Sequence, residues 1–137
     1  MTEKEAAQVP AAHLAYLGDA VMEVLVRRYL VQHPDGTGEH PGQRSLAYVT
    51  ASAQSDAVER ILPLLTEAES DEYRRGRNCV HGNVPQASTP AEYRRATGLE
   101  CLFGYLSLTG QDRRAEELFR RGYGLGGDEK TKETEEN

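Results

Sequence analysis

The sequence predicts an all-α protein with one folded domain. Capping and terminating residues typical of helices recur along the 137 residues, apolar residues repeat at spacings of three and four, and alternating strand patterns are nearly absent. A chain of this length supports one hydrophobic core rather than two. We therefore predict a flexible N-terminus over residues 1–8, a folded domain over 9–127 and a disordered acidic tail over 128–137.

The first two predicted helices flank a loop. Pro10 suits the start of a helix, and residues 11–32 are predicted to form a long buried helix. Residues 33–43 (HPDGTGEHPGQ) are typical of a loop, and the second helix after it ends at Pro63 because proline interrupts helices. The apolar positions are Leu14, Leu17, Val21, Val24 and Leu25 in the first helix and Leu46, Val49, Ala53, Ala57, Ile61 and Leu62 in the second.

Capping boxes, a Thr followed three residues later by a Glu, open the third and fourth helices. The pairs are Thr66 with Glu69 and Thr89 with Glu92. The third helix runs toward Gly76, where the helical pattern fails and residues 77–86 are predicted to project as a loop. The fourth ends near Gly110, and a last helix over 112–123 buries Ala115, Leu118 and Phe119.

The charge balance does not exclude a nucleic-acid partner. The formal net charge of −6, from 16 basic and 22 acidic residues, argues at first against phosphate binding. However, thirteen of the basic residues are Arg, and nine of these thirteen lie between Arg74 and Arg121. Arginine is suited to paired hydrogen bonds with phosphate. The alternative is that the Arg doublets are solvated helix faces.

The sequence also predicts the compartment. It contains no apolar run of the ~20 residues that a membrane span needs, and its N-terminus lacks a signal-peptide pattern. We expect a cytoplasmic protein without a membrane partner. Cys79 and Cys101 lack a metal-type spacing and are expected to be free thiols.

Two acidic residues stand inside otherwise apolar helices. Asp19 directly follows Gly18. Glu100 lies between Gly98 and Gly104. A glycine inside a helix costs ~1 kcal/mol relative to alanine, so these glycines indicate close backbone approach. Two carboxylates at such a crossing repel each other unless a proton or a hard divalent cation lies between them. The alternative is that both acids are exposed or paired with Arg.

These segments resemble a known family. Residues 14–21 (LAYLGDAV) resemble the signature helix of the ribonuclease III catalytic domain, and residues 100–106 (ECLFGYL) resemble its second acidic helix. The similarity covers nearly all of residues 9–123 and is greatest to the short subtype, Mini-ribonuclease III, which has no double-stranded-RNA-binding domain. Further matching segments are 48–51 with Gln54, 73–78 and 93–98.

The resemblance implies a homodimeric endoribonuclease whose catalytic domain, 9–127, cuts double-stranded RNA. Asp19 and Glu100 are the implied catalytic residues and ligands of Mg²⁺, for which Mn²⁺ can substitute. Tyr16 is the implied dimer contact, with an ordinary core aromatic as the alternative. The implied substrate is a precursor of the large-subunit (23S) ribosomal RNA. The implied RNA-binding residues are Arg74, Arg75, Arg77, Asn78, His81, Arg94 and Arg95.

The chain departs from full-length ribonucleases III in its acidic residues. Those enzymes usually carry further acids where this chain has Ala12, Ala15 and Thr97, a reduction similar to that of the short subtype. The number of metal ions therefore stays open. A second hypothesis is a non-catalytic RNA-binding protein of the same fold, and a third is a helical interaction module that binds no nucleic acid.

Overall fold

The computed structural model describes residues 1–79 and 88–125, and the secondary structure in these two ranges is entirely helical. The α-helices are α1 (Glu3–Ala6), α2 (Ala11–Gln32), α3 (Pro41–Arg44), α4 (Leu46–Val49), α5 (Ala51–Ile61), α6 (Glu67–Asn78), α7 (Pro90–Leu108) and α8 (Asp112–Gly122). A 3₁₀ turn, Leu62–Leu64, follows α5. None of these helices is long and apolar enough to cross a membrane. His81 and the acidic tail predicted for 128–137 lie outside the described ranges.

The long helices match the predictions closely because their ends carry strong local signals. Helix α2 starts directly after Pro10. The predicted capping boxes open α6 and α7, with the Thr66 and Thr89 hydroxyls accepting from the backbone N–H groups of Glu69 and Glu92. Both cysteines are free thiols, as predicted.

Two helix boundaries differ from the prediction. The second predicted helix is interrupted at Thr50, whose extended backbone ends α4 and whose hydroxyl caps α5 by accepting from the Ala53 N–H at 3.2 Å. Helix α6 continues through Gly76 to Asn78, because the missing side chain of Gly76 lets α6 lie against α7. Arg77 and Asn78 are therefore helical, not part of a projecting loop.

The N-terminal segment, which the sequence predicted to be flexible, contains α1. Thr2 and Glu5 form a third capping box, which the sequence prediction missed. Ala6 is fully buried in the core, and the Tyr105 hydroxyl donates to Glu3 Oε1 at 2.8 Å. Val24, predicted to be buried, is 51% exposed because it lies on the outer face of α2.

Helix α7 is the centre of the fold, and α2, α5 and α6 pack around it. The predicted core positions of α7 are buried, and so are those of α8. They are Leu99, Leu102, Phe103 and Leu106 in α7 and Ala115, Leu118 and Phe119 in α8.

Glycines set the separation between α7 and its neighbours. A Cβ built on Gly18 would lie 1.6 Å from the carbonyl oxygen of Glu100, and one on Gly104 would lie 1.9 Å from that of Leu14. Residue numbers rise along α2 as they fall along α7, so the two helices cross antiparallel. Gly76 approaches α7 in the same way, since its Cβ would lie 2.4 Å from that of Cys101. The close approach predicted from the internal glycines is therefore present.

Substitution of Gly18 should test the α2–α7 crossing. We expect Gly18→Ala to lower the free energy of unfolding by about 1–3 kcal/mol, because the backbones must separate. This destabilisation should appear although alanine favours a helix by ~1 kcal/mol over glycine. The measurement is urea or thermal unfolding.

Gly122→Ala is the matched control. There the nearest atom to the new Cβ is the methyl group of Ala57 at 3.2 Å, not a backbone atom. This variant should be destabilised less, and a Gly18→Ala protein as stable as the control would contradict the close crossing.

Candidate active site

Facing sides of α2 and α7 place the two predicted acidic residues in one pocket. Asp19 and Glu100 both line an open pocket of about 320 Å³. Asp19 is exposed and Glu100 is partly buried. The other described lining residues are Ala12, Ala15, Tyr16, Cys79, Tyr93 and Thr97.

The two carboxylates interact with each other. Burial, a hydrogen bond with Asp19 and the charge of Asp19 together raise the pKa of Glu100 to about 8. None of the described residues that line the pocket is a Lys, Arg or His. Without a cation, Glu100 therefore keeps its proton at neutral pH and shares it with Asp19 only through their hydrogen bond. The alternative in which both acids pair with Arg does not occur within the described part of the chain.

The donor atoms of this pocket fit a hard divalent cation. Carboxylate oxygens are the ligands that Mg²⁺ prefers, and this ion needs only one or two of them because it keeps several waters. Within residues 1–79 and 88–125, no group of three His, Cys, Asp or Glu side chains is placed to hold a metal. Glu23, one turn after Asp19 on α2, pairs with Arg27 at 3.0 Å.

Three polar residues of the pocket were not assigned a role from the sequence. Thr97 donates from its hydroxyl to the Tyr93 carbonyl at 3.0 Å, and Cys79 donates from its thiol to the Gly76 carbonyl at 3.2 Å. The Tyr93 hydroxyl forms no hydrogen bond within the described parts of the chain. Spacing could have revealed two of them, because residues 93, 97 and 100 share one face of a helix.

Several predicted RNA-binding residues are close in sequence to residues that line the pocket. Asn78 is exposed at the end of α6, and Arg94 is exposed directly after Tyr93 on α7. The Arg77 guanidinium carbon lies 5.8 Å from the centre of the Tyr73 ring. The end of α6 and the start of α7 also contribute Cys79 and Tyr93 to the lining of the pocket.

The guanidinium of Arg75 is hydrogen-bonded to other groups of the protein. Its guanidinium donates to Glu72 Oε2 at 2.8 Å and to the Val9 carbonyl at 2.8 Å. The Glu72 side chain is 6% exposed, so Arg75 neutralises a buried charge. The bond from Arg75 to the Val9 carbonyl fixes the segment before α2 to α6.

The remaining predicted arginines also have acidic neighbours. Arg95 donates to Glu59 Oε1 at 3.1 Å and to the Ser55 hydroxyl at 3.3 Å, which ties α7 to α5. Arg74 pairs with Asp71 on the outer face of α6, where both side chains are more than half exposed. The Arg74 pair is open to solvent, and exposed pairs of this kind contribute little to stability.

Tyr16 is not a core residue, because 85% of its surface is exposed. Val24 (51% exposed) and Val31 (69% exposed) lie on the same outer face of α2. These three exposed side chains, with the exposed Arg27 between Val24 and Val31, are not covered by the described parts of the chain.

Comparison with known proteins decides the family. The family described as the Ribonuclease III domain matches residues 12–111. The chain belongs to the ribonuclease III family. It is 41% identical to the Mini-ribonuclease 3 of Symbiobacterium thermophilum over 82% of this chain and 86% of that protein. It is 46% identical to the Mini-ribonuclease 3 of Gloeobacter violaceus over 73% of each chain.

Solved structures agree with this ribonuclease III assignment. A crystal structure of a Fusobacterium nucleatum protein superposes with a TM-score of 0.73 at 26% identity, covering 82% of this chain and 90% of that one. The similarity to Mini-ribonuclease III predicted from the signature helix is therefore confirmed. The chain is an endoribonuclease of the ribonuclease III type, and its substrate is RNA. This family is generally metal-dependent.

The shared proton makes stability depend on pH in the metal-free protein. Folded Glu100 keeps its proton up to about pH 8, whereas an unfolded Glu loses it near its ordinary pKa of 4.5. The folded state therefore binds more protons across this window, and its free energy of unfolding should fall as pH rises from about 4.5 to 8. The contribution is at most about 1.4 kcal/mol per pH unit.

Chemical unfolding in EDTA between pH 5 and 8 measures this effect. Glu100→Gln is the matched comparison, since the amide cannot titrate and should remove this component of the slope. Parallel curves for wild type and variant would show that the pKa of Glu100 is not raised.

Proposed function

We propose that this chain is a Mg²⁺-dependent endoribonuclease that cuts double-stranded RNA, with Asp19 and Glu100 as its metal ligands. The observation that carries the proposal is the pairing of these two carboxylates in one open pocket without a basic partner among its described residues. A purely structural pair of acids would be expected to have an Arg or Lys nearby, as Glu72 and Glu69 have in this fold.

The two carboxylates would exchange their shared proton for the cation. When bound, a divalent cation lowers the pKa of water and neutralises charge on phosphate oxygens, which is the chemistry that phosphodiester hydrolysis needs. Mn²⁺ should serve in place of Mg²⁺ because both prefer oxygen ligands. The small side chains of Ala12 and Ala15 leave space beside the carboxylates for the RNA backbone.

Removal of either carboxylate should abolish cleavage and leave the fold intact. Asp19→Asn or Glu100→Gln is expected to reduce the cleavage rate of a synthetic RNA duplex by at least about a thousandfold, because bound cations supply several kcal/mol to the transition state. Both variants should still bind the duplex in Ca²⁺, as measured by gel shift.

Metal-free stability at pH 7 serves as the control. Each variant removes one acid of a pair that holds a proton at pH 7 only at a cost to the free energy of unfolding, so its melting temperature in EDTA should equal or exceed that of the wild type. Wild-type turnover by either variant would refute the assignment.

We also propose that duplex RNA lies across the ends of α6 and α7. Asn78 and Arg94 are next in sequence to Cys79 and Tyr93, which line the pocket, and Arg77 precedes Asn78. Arg74 is available because the acid that it pairs with is exposed. Phosphate and ribose contacts suit these side chains, since duplex RNA hides its base edges in a deep groove. His81 belongs to the same proposed surface by its position in the sequence.

Arg75 and Arg95 are not proposed as direct phosphate contacts. Both guanidiniums are bonded to acids and to other groups of the protein, so they contribute positive charge near the RNA and hold the surface together. Their direct contacts with phosphate would require those bonds to open.

The salt dependence of duplex affinity should distinguish the arginines proposed to contact phosphate from those bonded within the protein. Arg74→Ala combined with Arg77→Ala should lower the slope of log K against log salt by roughly 0.9 for each phosphate that is no longer bound, and should weaken binding to all duplex sequences alike. Fluorescence anisotropy in Ca²⁺ at several salt concentrations measures this.

Arg75→Ala is the contrasting variant. It leaves the buried Glu72 without its guanidinium partner, so it should lower the free energy of unfolding by about 1–3 kcal/mol and change the salt slope little. Unchanged affinity and slope in the double variant would mean that Arg74 and Arg77 only solvate α6.

We propose that the working enzyme is a homodimer. The exposed side chains of Tyr16, Val24 and Val31 on one side of α2 support this, because a second copy of the chain would bury them. A two-fold dimer presents two equivalent sites, one for each strand of a duplex. Tyr16 is the proposed central contact, since it is the most exposed of the three.

Tyr16→Asp should shift the protein toward the monomer and reduce paired cleavage of the two strands. A charged side chain in an apolar interface loses its hydration without gaining a partner. Sedimentation velocity at working concentration gives the oligomeric state, and duplex cleavage gives the activity. A wild-type monomer that still cuts both strands would contradict the dimer.

The proposed cellular substrate is the precursor of the large-subunit (23S) ribosomal RNA, processed in the cytoplasm. The Mini-ribonuclease 3 relatives support this choice by their similarity along the chain. Sequencing RNA ends from a deletion strain tests it, and unaltered 23S ends would refute it.

A further inference from the structure

The pocket offers few hydrogen-bond donors to a phosphodiester. Phosphate oxygens accept hydrogen bonds and do not donate them, so they need donors that the two ionised carboxylates cannot supply. The described lining residues include no basic side chain. The donors that remain among them are the hydroxyl or thiol groups of Tyr16, Cys79, Tyr93 and Thr97.

Two of these four groups donate to backbone carbonyls, and a third, the hydroxyl of Tyr16, belongs to the proposed dimer contact. The Thr97 hydroxyl donates to the Tyr93 carbonyl at 3.0 Å, and the Cys79 thiol donates to the Gly76 carbonyl at 3.2 Å. Tyr16 is 85% exposed and lies on the α2 face proposed as the dimer interface. The Tyr93 hydroxyl is the remaining donor, and it has no hydrogen-bond partner within residues 1–79 and 88–125.

We propose that the Tyr93 hydroxyl donates a hydrogen bond to one non-bridging oxygen of the phosphodiester that is cut. Tyr93 lies one turn before Thr97 and two turns before Glu100 on the same face of α7. The side chain is half-buried, so packing limits the positions of its ring. This inference rests on the proposed function, and it assigns Tyr93 to the phosphate oxygen that the cation does not hold.

Sulfur substitution of the phosphate tests this contact directly. The cleaved linkage of a short RNA duplex is first mapped with the wild-type enzyme in Mg²⁺. Each non-bridging oxygen of that linkage is then replaced by sulfur, which is a poor hydrogen-bond acceptor, to give two diastereomers. Single-turnover rates are measured for wild type and Tyr93→Phe on the all-oxygen duplex and on both diastereomers, in Mg²⁺ and in Mn²⁺.

The expected result is a difference in cleavage rate between the wild type and Tyr93→Phe that disappears with one diastereomer. Tyr93→Phe should slow cleavage of the all-oxygen duplex by about tenfold or more, as expected for a hydrogen bond to a charged group. On the diastereomer whose sulfur faces Tyr93, the variant and the wild type should cleave at similar rates. Mn²⁺, which binds sulfur better than Mg²⁺ does, should not restore this diastereomer but should restore the other.

Tyr105→Phe is the matched control, because it is the same change on the same helix. Its hydroxyl donates to Glu3 instead of facing the pocket, so its effect should be equal on all three substrates. Melting temperatures establish that both variants are folded.

Two results for Tyr93→Phe would overturn the inference. These are wild-type rates on all three duplexes, or slowing of all three by the same factor. Failure of the wild-type enzyme to cut the all-oxygen duplex would instead refute the proposed function, and the inference with it.

Discussion

The direct backbone contact between α2 and α7 is the constraint on which the rest of the structure depends. Gly18 and Gly104 each remove the side chain that would hold the two helices apart, and each faces a carbonyl oxygen of the opposite helix. Such a crossing puts the residue after Gly18 beside Glu100. The acidic pair is thus a consequence of how closely two helices pack, and glycines inside strong helices make that packing possible.

The close crossing also determines the electrostatics of the pocket. Burial at the crossing raises the pKa of Glu100, and Asp19 adds a second negative charge beside it. Elsewhere in the fold, buried acids are neutralised by arginine, as Glu69 is by the 2.8 Å bonds from Arg114. The contrast between these two environments distinguishes a pair of acids suited to a cation from acids that stabilise the fold.

Arginine therefore has two uses in this acidic protein. Arg95 and Arg114 join one helix to another and Arg75 joins α6 to the segment before α2, whereas Arg74 and Arg94 are exposed. A net charge of −6 is compatible with an RNA substrate because many of the acids are already paired within the protein. Charge counts alone could not separate these roles.

The sequence by itself determined the helices with strong end signals, the core stripe of α7 and the two acids of the pocket. Capping boxes and proline act within a few residues, and Gly18 and Gly104 marked the close crossing. Only the tertiary structure decided that α6 passes through Gly76, that Arg95 of α7 is bonded to Glu59 of α5 and that Cys79 lines the pocket. These features depend on contacts between helices distant in sequence, which no local pattern records.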